Sequence, residues 1–208
     1  MEKSAKALVI YAHPYEKSFC HAVKERVVKA LEKTGKEYHL IDLYADFSKE
    51  ATDRFDPILT AADLKLYPAG ETNDPQVPRY LDLLKQTDLL IIVFPVWWGL
   101  MPAVLKGFFD KVLLPGQAYQ RKKSGLLSPM LANIKKALIF NTLGGPTFYH
   151  KVILRFPLKQ TVGSTTLKVV GVKRVKFVQF GSIKKSTPRQ RAKWLAKTER
   201  LVSKTAAK

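Results

Sequence analysis

The sequence predicts an α/β fold of the doubly wound kind: a five-stranded parallel sheet in the order 2-1-3-4-5, with helices on both faces. Two observations carry this. Short apolar runs rich in β-branched residues alternate with segments of helical period, which places a crossover helix between successive strands. And Leu89-Leu-Ile-Ile-Val-Phe94 is apolar throughout, the pattern of a parallel strand buried on both faces. The chain has 208 residues, 46% of them hydrophobic. That suffices for one domain over residues 1–208 with a core of its own.

The elements follow in order. Lys6 to Tyr11 reads as a buried strand closed by His13-Pro14. Ser18 to Thr34 reads as a helix, with Phe19, Val23, Val27, Ala30 and Leu31 on one face and Gly35 as its stop. Tyr38 to Leu43 is a second strand. Residues 45–80 read as irregular, broken by Pro57, Pro68, Pro75 and Pro78, with a short helix around Thr60 to Leu66. Tyr80 to Lys85 closes a helix. After the third strand, Pro102 suits the first turn of the next helix. Ala137 to Asn141 is the fourth strand and Val172 to Phe180 the fifth. Thr187-Pro188 opens a last helix, and the basic end, residues 204–208, is expected to fray.

The formal net charge is +19. It is not evenly spread: residues 121–208 carry 21 Lys and Arg against one acid, Glu199. Such asymmetry points to an anionic partner without saying anything of the fold. One cysteine excludes a disulfide scaffold and a cysteine-cluster zinc site, and no metal centre is expected. The N-terminal apolar run is too short for a signal peptide. The longest uncharged run, residues 89–105, is broken by Pro95, Gly99 and Pro102, so no membrane span is expected. The reading is therefore a cytoplasmic protein.

In a sheet of this order, ligands bind outside the carboxyl ends of the strands. The first loop there, Tyr11 to Cys20, has neither GxGxxG nor GxxxxGK[ST], which removes the Rossmann dinucleotide and P-loop readings. It offers a helix N-terminus with Ser18 as cap, where an anion is favoured, with His13 and Lys17 beside it. The alternative is that His13 and Ser18 simply cap a strand and a helix. The second loop, Phe94 to Pro102, holds adjacent tryptophans. Trp97 and Trp98 either border a flat heterocycle or pack beneath the loop. In the third, Asn141 to His150, Gly144-Gly145 either permits close approach of a ligand to the backbone or makes a plain turn. Tyr149 and His150 there exchange protons or hydrogen bonds.

On these residues the chain resembles the flavodoxin-like NAD(P)H:quinone oxidoreductases, the family of DT-diaphorase and its bacterial relatives. The matching stretches are Ala12-His-Pro…Ser-Phe19, Phe94-Pro-Val-Trp-Trp-Gly…Met-Pro-Ala-Val-Leu-Lys-Gly-Phe-Phe-Asp110, Gly116-Gln-Ala-Tyr119 and Thr142-Leu-Gly-Gly-Pro146. They lie in order over about residues 6–150. The resemblance implies a bound flavin, FAD or FMN, with FAD favoured by the phosphate-side loop, and NAD(P)H as co-substrate. It would set His13, Lys17, Ser18, Phe19 and Cys20 along the flavin phosphates. Pro95, Val96, Trp97, Trp98 and Gly99 would border the ring, and Thr142, Leu143, Gly144 and Gly145 would hold its pyrimidine edge. Tyr149 or His150 would balance charge during reduction. Relatives often carry Asn where Cys20 stands; a thiol in a helix's first turn can ionise more easily, but a small buried side chain is the simpler expectation.

The implied activity is two-electron, ping-pong transfer from NAD(P)H to a quinone, or to an azo or nitro aromatic, in a homodimer. A second function class is an ancillary flavoprotein subunit of a potassium efflux system, docking an acidic or membrane-protein partner through the basic C-terminal surface. A flavodoxin-type carrier lacks its acidic surface here. Nucleic-acid binding has basic clusters but no recognition motif.

Overall fold

A computed structural model describes residues 6–50 and 53–207 of the chain. Five strands build the main sheet: β1 (Lys6–Tyr11), β2 (Tyr38–Asp42), β3 (Thr87–Pro95), β6 (Lys136–Thr142) and β7 (Arg174–Phe180). Their order is β2-β1-β3-β6-β7, all pairs parallel, which is the expected 2-1-3-4-5 arrangement. Registers such as Val9↔Ile91 and Ile91↔Leu138 align the carboxyl ends of β1, β3 and β6 at one edge.

Because side chains alternate across a strand, each face of the sheet has its own core. One face presents Leu8, Ile10, Ile92, Phe94 and Ile139 to α4 (Gln76–Gln86) and α5 (Ala103–Val112), which supply Tyr80, Leu84, Phe108 and Val112. The other presents Val9, Tyr11, Ile91, Val93 and Phe140 to α1 (Phe19–Lys33) and α6 (Pro188–Ala206), through Val23, Val27, Leu31 and Val202. Glu199 on α6 reaches Arg26 at 2.9 Å and also Lys33, so the one acid of the basic half joins α6 to α1.

Several elements depart from the sequence expectation. β2 stops at Asp42 because that side chain accepts the amides of Tyr44 and Ala45, opening α2 (Leu43–Phe47) where strand was expected. The proline-rich stretch carries the short helix expected around Thr60 to Leu66, and is more ordered than expected beyond it, with α4 starting at Gln76. Thr60 caps α3 (Ala61–Leu66) in a reciprocal capping box with Asp63. Pro78 lies in the first turn of α4, where its missing N–H is not needed. Two further features gave no periodic signal: a short antiparallel ribbon of β4 (Tyr119–Arg121) and β5 (Leu127–Pro129), and wide helical turns over Tyr149–Ile153 and Lys159–Leu167. β7 begins at Arg174 rather than Val172, which belongs to the core after Gly171 at φ +115°. The expected frayed end continues as helix to Ala206, and Lys208 lies outside the described residues. No helix among the described residues is long and apolar enough to cross a membrane.

The segment before α3 is clamped to α5 at two points. Lys111, buried on α5, faces Asp63 at 3.4 Å, Asp74 at 3.3 Å and the Ile58 carbonyl at 3.4 Å. One turn earlier, Gly107 lies under Pro57: a Cβ there would come within 2.0 Å of the Pro57 carbonyl oxygen. Gly107→Ala is therefore expected to lower folding stability by about 1–3 kcal/mol, overpacking outweighing the better helix propensity of alanine. A urea unfolding midpoint unchanged or raised would show that the segment yields freely.

Candidate functional site

Three loops leave β1, β3 and β6 at the shared carboxyl edge. In the first, Ser18 caps α1, its Oγ accepting the His21 N–H at 3.0 Å, while the amides of Phe19 and Cys20 fall in the first turn, which has no intrahelical acceptors. The His13 Nδ1 accepts the Tyr15 N–H at 3.0 Å, so its proton sits on Nε2. Burial, then the nearby His21, hold the His13 imidazole below its ordinary range despite that hydrogen bond. It is thus a neutral N–H donor near pH 7. Lys17 is exposed beside it. The Phe19 ring turns into the core, 5.8 Å from Phe180 and 5.7 Å from Trp194, so only its amide remains for a ligand. Cys20 is buried, and burial pushes its thiol up to about 12 despite a hydrogen bond with Thr142. The effect of burial outweighs that of the helix terminus, and Cys20 is a small core side chain.

The second loop leaves the end of β3 at Pro95. The Val96 N–H donates to the Thr142 carbonyl at 2.8 Å, fastening it to the third. Trp97 and Leu100 exchange N–H···O bonds of 3.0 Å each, closing a tight turn with Trp98 (φ +49°) and Gly99 (φ +79°) at its tip. Positive φ at both central residues matches a type I′ turn, comfortable for Gly99 but strained for a tryptophan. Trp98 is fully exposed and Trp97 partly so; neither packs beneath the loop. The Trp97 ring lies 5.9 Å from that of His13, joining the first two loops.

The third loop is backed by the turn after β7. Leu143 N–H donates to Phe180 O at 2.8 Å and Ser182 N–H to Gly145 O at 2.8 Å. Gly144 and Gly145 are exposed, and a Cβ on either would meet nothing within 4 Å. Neither has a positive φ. The protein itself therefore imposes no need for glycine at these positions. Tyr149 is exposed, whereas His150 is buried at 3%. His150 Nε2 lies 3.2 Å from Gly99 O, an acceptor only, so Nε2 carries the proton. Its Nδ1 then accepts from the Gln179 amide at 3.0 Å. His150 thus ties the strained tip of the second loop to β7.

The structure brings the three loops together. It also adds residues that sequence reasoning missed, all from the carboxyl end of β7: Gln179, Gly181 and Ser182. A Cβ at Gly181 would lie 2.7 Å from Thr147 N, so this glycine is required by close approach. The rule that ligands sit beyond carboxyl ends applied equally to β7 and was the available signal. Asn141, buried with neither side-chain polar atom partnered, and Gln179 Oε1, also unpartnered, lie side by side in register.

Comparison with known proteins agrees with this fold. Residues 5–202 match the family described by a flavodoxin-like fold. A Haemophilus influenzae protein named uncharacterized NAD(P)H oxidoreductase is 30% identical over 182 residues, spanning 85% of this chain and 83% of that protein. NAD(P)H dehydrogenase (quinone) 1 of Cavia porcellus is 33% identical over 156 residues, or 67% of this chain and 54% of that enzyme. The chain thus spans about half the length of that relative. A Streptococcus mutans crystal structure, 29% identical, superimposes with a TM-score of 0.80 over 96% of this chain and 99% of that one. The NAD(P)H:quinone oxidoreductase of Methanothermobacter marburgensis is 25% identical, with a TM-score of 0.79 over 97% of each chain. The chain belongs to the flavodoxin-like family that contains the NAD(P)H:quinone oxidoreductases.

Proposed function

We propose that this protein is a flavin-dependent NAD(P)H oxidoreductase that reduces quinones, and azo or nitro aromatics, in a two-electron, ping-pong reaction. The observation that carries the reading is the pairing of Gly144-Gly145 with the exposed tryptophans of the second loop. These glycines answer no need of the protein's own packing, a Cβ on either meeting nothing within 4 Å, and the loop fastened to theirs carries the two exposed rings. Open backbone beside exposed aromatic rings is what a planar heterocycle would use. The partnerless buried amide of Asn141 next to the third loop agrees with a polar ligand edge there.

The residues fit a flavin. The free amides of Phe19 and Cys20, the Ser18 cap, the His13 Nε2–H and Lys17 would hold its phosphates. Val96 to Gly99 and Thr142 to Gly145 would hold the ring. When bound, the flavin supplies transfer of two electrons from NAD(P)H to the acceptor. The chain's part is placement. Trp97 and Trp98 present flat apolar surface to donor and acceptor alike, which is why a single slot serves both and ping-pong kinetics are expected. Tyr149, exposed at the rim, moves a proton at its phenolic oxygen, while His150 holds the loop tip through Gly99 O. An open groove of about 700 Å³, lined by Lys17, Lys29 and Arg26 but also by Glu16, Glu25 and Glu32, runs from Ser18 along α1; FAD, favoured by the phosphate-side loop, would extend toward it. Phe148, Tyr149, Val152 and Ile153 form an exposed apolar ridge, and we assign it to contact with a second copy in a homodimer.

Purified protein reconstituted with flavin is expected to oxidise NAD(P)H with menadione as acceptor, with parallel double-reciprocal lines. The mass of the released cofactor identifies it as FAD or FMN, and size-exclusion chromatography reads the dimer. Protein that binds neither flavin and leaves NAD(P)H untouched would overturn the reading.

A further inference from the structure

We propose that the free edge of β7 is a docking groove for an extended acidic segment of another protein, which adds to the sheet as a sixth strand. This does not depend on the flavin reading. β7 is the end strand of the sheet, and its seven residues give an edge roughly 20 Å long. Among the described residues, no element other than β6 pairs with it as a strand, so its outward N–H and C=O groups are open to pairing.

The groove is walled on both sides. A cavity of about 570 Å³ runs along β7 past Lys176 to Gln179, and a second of about 310 Å³ lies between β6, β7 and α6; the two share Lys176, Leu201 and Lys204. α6 contributes Lys197, Arg200 and Lys204 to one wall, and Lys151 stands on the other. Arg174 and Lys176 rise from the strand itself. Every charged residue lining the two cavities is a cation.

Lysines on an edge strand alone would be an ordinary guard against aggregation. Two features go beyond that. The cations converge from three separate elements, and no acid compensates them. Glu199, the one acid of residues 121–208, turns away to Arg26 and Lys33 of α1. Like charges gathered this way repel one another and destabilise the fold unless an outside anion answers them. A strand edge at the floor answers main-chain hydrogen bonds, and side chains alternating along an extended peptide would meet the cationic walls. A linear acidic peptide satisfies both; a nucleic acid or an anionic lipid satisfies only the charge. The opposite edge, β2, reads Tyr-His-Leu-Ile-Asp and carries no Lys or Arg.

The test is fluorescence anisotropy with the full chain and a labelled decapeptide alternating Glu and Val. A second peptide has the same residues, with backbone N-methylation at alternate positions to remove strand donors. Binding of the first peptide is expected to be at least tenfold tighter than of the second, and to weaken at least tenfold from 50 to 300 mM salt, about the sensitivity of multi-charge contacts. The triple change Lys176→Glu, Lys197→Glu, Arg200→Glu should weaken it at least tenfold, with flavin content unchanged and the melting temperature not lowered, since the change relieves repulsion among the cations. Neutral Gln replacements at the same positions keep the test open if the reversed variant misfolds. Equal binding of the two peptides, equal binding by wild type and variants, or tighter binding of a single-stranded oligonucleotide or of phosphatidylserine vesicles would each overturn the proposal.

Discussion

Lys111→Met is expected to remove about 3–5 kcal/mol of folding stability, because the change leaves two buried carboxylates without their cation. Lys111 is only 5% exposed and lies within 3.4 Å of Asp63 and Asp74. Methionine keeps the length and the apolar stem, so the loss reports charge rather than volume. The effect on acid stability has a definite sign. Burial pushes the Asp63 carboxyl up, but hydrogen bonds from the Thr60 amide and hydroxyl and the Lys111 charge outweigh it, leaving it below the ordinary carboxylate range. A carboxyl depressed in the folded state contributes stability above its unfolded pKa and loses it as pH falls through the folded one. The variant keeps the Thr60 hydrogen bonds but loses the part of that depression that Lys111 supplies. Its acid unfolding should therefore begin at higher pH than that of the wild type. Urea midpoints at pH 7 and an acid titration followed by circular dichroism check both statements. A loss under about 1 kcal/mol, the scale of an exposed pair, would show that the cluster is wet.

Gly145→Val is expected to weaken flavin binding about 100-fold, which is about 2.7 kcal/mol, while leaving the flavin-free protein's stability within about 0.5 kcal/mol. The second half follows from the open space around this residue and its ordinary φ. The first half follows from what that space is proposed to hold. Titration of flavin against both proteins, with a melt of each in flavin-free form, separates the two effects. Parallel loss of folding and binding would return Gly145 to a structural role. Unchanged binding would move the ligand elsewhere.

How far the sequence carried differs from element to element. β1 and α1 were legible to the residue or nearly so, since Ala7 to Tyr11 is an apolar run and Ser18 is a cap that the structure uses. The stretch from 45 to 80 was legible only in its short helix at Thr60 to Leu66, because its prolines suggested irregular chain where Pro78 merely enters a helix. Its order comes from Lys111, far along the chain, and no local pattern reveals such a partner. The three loops were legible because strand order dictates where they meet. The backing of the third loop by Gly181 and Ser182 was not, since it arises only when β7 lies beside β6. His150 and Tyr149 are neighbours in sequence, yet one is locked between two strands' loops and the other faces solvent. Wide helical turns there carry no sequence signature that would separate them.

The chain has three tryptophans. Trp97 and Trp98 are exposed in the second loop, while Trp194 packs, tilted, against Phe19 and Phe180 between α6 and the sheet. Intrinsic fluorescence is therefore divided by place. Red emission from the second loop is expected to report occupancy of the proposed flavin site, and blue emission from Trp194 whether α6 still lies on its sheet. A single untagged sample thus carries separate optical reporters of occupancy and of integrity.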